Sequence, residues 1–128
     1  MANKIFFSIL IIFSLFNLYL FEEEHEDEFE YDPKIEIKIN SNPSKEIIDK
    51  ANEWNSWVRG VGEFYFKYRK AQRAYIYEGY GEVYTPSKRW SVKTGDFIEF
   101  PKDFVCVWNI QQFMRVRFLW DEDDDNFL

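Results

Sequence analysis

YIYEGYGEVYTPSKRWSVKTGDFIEFPKDFVCVWNI, residues Tyr75–Ile110, is the stretch on which the fold turns. Apolar side chains recur there at every second position in short runs: Tyr75 and Tyr77, Trp90 and Val92, Ile98 and Phe100, then Phe104, Cys106, Trp108 and Ile110. A period of two sends alternate side chains to opposite faces of a strand, so each run reads as a half-buried strand. Turn formers stand between the runs. Glu78-Gly79 fits a turn where glycine relieves the backbone, Gly95-Asp96 a tight reversal, and Pro101 ends a strand where no ladder donor is needed. Asp96 is expected to bond backbone amides in its turn rather than to act as an acid or base.

The same pattern continues outward in both directions. Towards the N-terminus come Phe64, Phe66 and Tyr68, and further back Ile35, Ile37 and Ile39 alternating with Glu36, Lys38 and Asn40. Between them Ser41-Asn42-Pro43-Ser44 breaks the chain, and Ser44 caps a short helix predicted from Ser44 to Lys50. Towards the C-terminus Met114, Val116, Phe118 and Trp120 form a last run. Short strands spaced by turns predict an all-β antiparallel sandwich or barrel with one helix, over residues 34–120.

The ends differ in kind. Ile5 to Phe21 is an uncharged run preceded by Lys4, long enough as a helix, at about 26 Å, to cross a thin bilayer. Residues 1–21 therefore read as a signal-anchor or transmembrane helix. Its end lacks the small residues of a cleavage site, so it is expected to stay on the mature chain. That predicts a single-pass protein of the secretory pathway, with the mitochondrial inner membrane as the alternative, or a secreted one if the segment is cleaved. Residues 22–33 read as a solvated acidic linker around His25, the single histidine, and 121–128 as an acidic tail. The net charge of −7 hides a segregation: between Pro33 and Trp120 there are 15 Lys and Arg against 10 Asp and Glu, a net of +5. Cys106 is the sole cysteine, which excludes an intramolecular disulfide or a thiolate cluster within one chain.

Three motifs stand in order: Tyr75-Ile76-Tyr77-Glu78-Gly79 with Gly81-Glu82-Val83, then Gly95 to Pro101, then Cys106 to Ile110. Together they resemble the cupin superfamily, in particular the small single-domain branch grouped with the cupin domain of (S)-ureidoglycine aminohydrolase. The opening strand, the short helix and the pair Trp54 and Trp57 are similar to the entry of those proteins. The resemblance implies a jelly-roll barrel. It also implies where a metal would sit, with a glutamate and two histidines from the first motif and a histidine from the second. Those positions fall on Gln72, on Phe66 and Tyr68 (or Tyr65 and Lys67 in the alternative spacing), and on Cys106. Asp103 stands where the second motif carries a glycine. None of the first-motif positions is a good metal ligand, and the one thiolate of Cys106, which could bind a soft ion, falls short of the three or four protein ligands a metal site takes, so no metal and no other cofactor is expected.

Two functions follow from these readings. One is a non-catalytic membrane-tethered module for ligand binding or assembly, an accessory subunit of a membrane complex. The other is a small-molecule enzyme of the aminohydrolase-like group with an atypical or metal-free site built on Cys106, Tyr68 and Lys67. A nucleophilic Cys106 needs a base, and no histidine exists between residues 34 and 120, so no catalytic residue is assigned. Pocket candidates are Phe66, Tyr68, Gln72, Tyr75, Phe100, Cys106 and Trp108. Lys67, Arg69, Arg115 and Arg117, with Lys70 and Arg73, form a basic face for an acidic partner, either protein subunits or an anionic small ligand. A membrane anchor between acidic flanks argues against nucleic acid.

Overall fold

The alternation resolves into seven strands and one helix: β1 Lys38–Asn40, α1 Lys45–Ala51, β2 Asn55–Arg59, β3 Gly62–Lys67, β4 Gln72–Tyr84, β5 Arg89–Lys93, β6 Phe97–Phe100 and β7 Val105–Trp120. The computed structural model describes residues 31–121. The anchor helix 1–21, most of the acidic linker and the tail beyond Asp121 lie outside them. Among the described residues no helix is long and apolar enough to cross a membrane.

β4 and β7 are the spine, paired antiparallel from Gln72 opposite Trp120 to Tyr84 opposite Val107. Each serves two neighbours in turn. β4 pairs β6 over Gln72–Tyr75 and β5 over Tyr80–Tyr84. β7 pairs β3 over Val105–Ile110 and β2 over Met114–Phe118. Two half-sheets result, β1-β6-β4-β7-β2 and β5-β4-β7-β3, which share the long strands. The corner between them lies where β4 slips register between Ile76 and Gly81. Gly79 there has φ 118°, and a Cβ on it would stand 2.5 Å from the Phe113 carbonyl oxygen, so the corner needs glycine. The halves close on one core. Ala74, Ile76, Met114 and Val116 come from one half, and Val83, Val92, Trp108 and Ile110 from the other. This is the antiparallel jelly-roll arrangement with one short helix.

Four details differ from the sequence reading. α1 starts at Lys45 because Ser44, with φ −70° and ψ 160°, is its cap and accepts from Ile47 N at 3.2 Å. The first strand pairs only from Lys38, since a turn in which Asp32 accepts from Ile35 N holds the residues before it. Ile37 is nonetheless buried. The linker drawn through residue 33 is docked from Tyr31, which is 6% exposed and bonds Thr85 Oγ1 at 3.1 Å and also Ser87 Oγ. The runs 104–110 and 114–120 belong to one strand, in phase throughout. Exposed Gln111 and Gln112 lie where β7 passes the corner.

Candidate functional site

Inward phase is shown by which side chains pack in the core or line the cavity. On β3 it falls on Phe64 and Phe66, on β4 on Gln72, Ala74 and Ile76, and on β7 on every even-numbered residue apart from exposed Gln112 at the corner. Where the ends of these strands meet β2, the inward side chains do not close, and a cavity of about 290 Å³ remains. That volume is near the lower limit for small-molecule pockets.

Flat rings make the walls. Trp57 stands perpendicular to Trp108, with centroids 5.6 Å apart at 90°, and to Phe64, at 6.3 Å and 89°. Phe64 and Trp108 are parallel within 2°. Phe66, Phe118 and Trp120 complete the opposite side. Such edge and stacked contacts hold rings in fixed orientation, each adding about 0.5–1.5 kcal/mol beyond burial.

Three polar groups enter this apolar space. The Tyr68 hydroxyl accepts from Trp108 Nε1 at 3.1 Å, and Tyr68 is among the residues that line the cavity. Burial first, then the charge that a Cys106 thiolate would carry, hold the phenol pKa well above its usual value, so Tyr68 stays neutral. Gln72 is 5% exposed and lines the cavity, and its side-chain amide bonds to none of the described residues. Arg59 lies at the rim with its guanidinium 3.9 Å from the Phe64 centroid.

Four pocket candidates, Phe66, Tyr68, Gln72 and Trp108, come together here. Phe100 does not line the cavity; it stacks behind Tyr68 at 4.3 Å and 5°. Cys106 does not either. It is fully buried opposite Phe66, and burial raises its thiol pKa well above the usual value. Tyr75 is out of phase with Gln72, Ala74 and Ile76, so it points to the outer face. Phe64, Phe118 and Trp120 were missed, although each shares the phase of a candidate on its own strand. Trp57, noted only for its family resemblance, and Arg59 carried no periodic signal, because β2 has one partly buried residue in five.

The metal positions do not fit a metal. Phe66 offers no donor, Gln72 a neutral amide, Tyr68 a phenol held neutral, and Cys106 a thiol held protonated behind the cavity. Among the described residues no three His, Cys, Asp or Glu side chains cluster.

The basic residues fall in separate places. Lys67, Arg69 and Lys70 gather beside Phe66 and Trp120 around a second hollow of about 260 Å³. Arg73 lies beside Trp54 and Glu99, near α1. Arg115 is exposed and faces Glu78 at 3.4 Å. Arg117, sharing its side of β7, donates to the Trp54 carbonyl at 2.9 Å and is partly buried, which makes it a structural tie. Asp96 is buried in its turn and accepts from Lys93 N at 2.9 Å.

A model of the EutQ-like cupin domain matches residues 48–118. Among solved structures, the chain is similar to a DUF861 family protein of Thermotoga maritima, with 31% identity, TM-score 0.63, and coverage of 66% of this chain and 99% of that one. It is also similar to the EutQ protein of Clostridium difficile, with 11% identity, TM-score 0.47, and 70% of each chain covered. Comparison with curated proteins gives no match.

Proposed function

The chain belongs to the EutQ-like cupin domain family, and from that premise we propose that it is a small-molecule-binding cupin module rather than a metal-dependent enzyme. The observation that carries this is the cavity: rigid aromatic walls with the Gln72 amide and the Tyr68 phenol in the lining. That is the composition of a recognition pocket, apolar with a few placed polar groups. The aminohydrolase-like alternative would need Cys106, Tyr68 and Lys67 in one place. Only Tyr68 faces the cavity, and Cys106 lies protonated behind it. In this proposal the segment Ile5–Phe21 holds the module at a membrane, where it serves as an accessory subunit.

The test is ligand-observed NMR of the full chain against a fragment set of one- and two-ring compounds. Several fragments should bind and compete with one another, and Trp57→Leu should weaken them at least tenfold while thermal unfolding stays cooperative. A set in which nothing binds, or in which binding ignores Trp57→Leu, would sink the proposal.

A further inference from the structure

The cavity discriminates by charge and by shape, and both discriminations can be read from its walls. Arg59 is the only charged residue lining it, and no carboxylate lies within 4.0 Å of its guanidinium among the described residues. Its guanidinium lies 3.9 Å over the Phe64 ring centre, and a planar guanidinium takes a carboxylate by two parallel hydrogen bonds. A cationic ligand would meet this charge with no compensating carboxylate in the lining. Aromatic walls that could otherwise cage an ammonium group are therefore biased against one.

Shape follows from the perpendicular rings. Trp57 set at 90° to Trp108 and 89° to Phe64 forms a two-walled corner, which a flat ring fills by stacking on one wall and meeting the other by its edge. A puckered ring of the same size touches one wall poorly. The volume of about 290 Å³ equals roughly ten waters, room for one or two fused rings. Deeper in, Gln72 supplies both a donor and an acceptor, neither taken by a described residue, and the Tyr68 hydroxyl can donate besides the bond it accepts.

We propose that the cavity binds a flat aromatic or heteroaromatic carboxylate, its carboxylate on Arg59 at the rim and its ring in the corner that Trp57 makes with Phe64 and Trp108, with a polar ring substituent meeting Gln72. This rests on the reading of the domain as a small-molecule binder and names the ligand class for that same cavity.

Calorimetric titration of the full chain with 6-hydroxy-2-naphthoate tests it. The comparison probes are 2-naphthylmethylammonium for charge, 2-naphthol for the neutral ring, and cyclohexanecarboxylate for flatness. The hydroxynaphthoate should bind at least tenfold more tightly than each. Arg59→Gln should cut its affinity at least fivefold and leave 2-naphthol unchanged, and Arg59→Lys should fall between. Gln72→Leu should erase the advantage of 6-hydroxy-2-naphthoate over 2-naphthoate. If the ammonium or the neutral probe binds as well as the acid, or if Arg59→Gln has no effect on it, the ligand class is wrong while the binding function stands. If none of these probes binds but the fragment set does, the result is the same. Failure of the fragment set itself brings down both.

Discussion

Tyr68 joins the core to the cavity through one side chain. Its ring stacks on Phe100 at 4.3 Å and meets Phe66 edge-on at 4.6 Å, and its oxygen accepts the Trp108 proton. Cys106 lies close enough that an ionised thiolate there would raise the Tyr68 pKa further. Both pKa values are raised in the folded chain, so the fold holds both protons more tightly than the unfolded chain does. Stability from the neutral thiol is thus whole below the ordinary thiol pKa of about 8.5 and is lost as pH rises above it. The slope is about 1.4 kcal/mol per pH unit for one group that stays protonated in the fold. We predict that the urea midpoint falls between pH 8.5 and 10, and that Cys106→Ala, less stable at neutral pH, falls less steeply over that range. Equal slopes for the two proteins would contradict the burial of an un-ionised thiol.

At the scale of elements the decisive feature is the corner in β4. Gly79 donates its N–H to Thr94 Oγ1 at 2.9 Å and accepts from Thr94 N at 3.0 Å, which ties the corner to the turn before β6. A Cβ there would press into Phe113 and Met114 backbone at 2.5 and 2.7 Å and would sit on a left-handed φ. Gly79→Ala is therefore expected to cost more than about 2 kcal/mol, from about 1–2 for the φ alone plus the backbone shift. Urea unfolding of the variant checks this, and a loss under 0.5 kcal/mol would show that the corner relaxes freely. The strands with repeated inward residues and the Ser44 cap were legible in the sequence, but Glu78-Gly79, read there as a turn between strands, is a bulge inside β4, which runs on unbroken to Tyr84. β2 was not legible, because only Trp57 of its five residues is partly buried and Arg59, which shares its face, is charged and exposed, so no apolar alternation marks the strand. Four of the ten residues lining the cavity were legible: Phe66, Tyr68, Gln72 and Trp108 stood at motif positions, whereas Trp57 and Arg59 reach the site only through the pairing of β2 with β7. Tyr75 was misplaced because aromatic residues flank Ile76 on the outer face, so the loudest apolar signal there had the wrong phase.

Across the whole molecule, charge and topology set the behaviour. The folded part is positive within a chain of net −7, so attraction to an anionic partner acts at short range, within about 8 Å at physiological salt. We predict that the full chain is retained on a sulfated polyanion matrix at low salt despite its acidic pI. Arg115→Ser should lower the salt needed for release with little change in stability, since the exposed pair with Glu78 is worth about 0–1 kcal/mol. An unchanged elution point would place the contact elsewhere. Arg117→Ser is a poorer probe, because it also frees the Trp54 carbonyl. Topology acts on another clock. β7, the last of the seven strands in chain order, pairs β2, β3 and β4 together, while β1 finds its partner in β6 about sixty residues on. Most contacts in such a sheet wait on loop closure, so folding is slow and belongs to a nearly finished chain. On the ribosome, then, β1, β5 and β6 can find partners as they emerge, but β2 and β3 have nothing to pair with until β7 clears the exit tunnel. Until that moment its exposed edges are a client for chaperones rather than a domain.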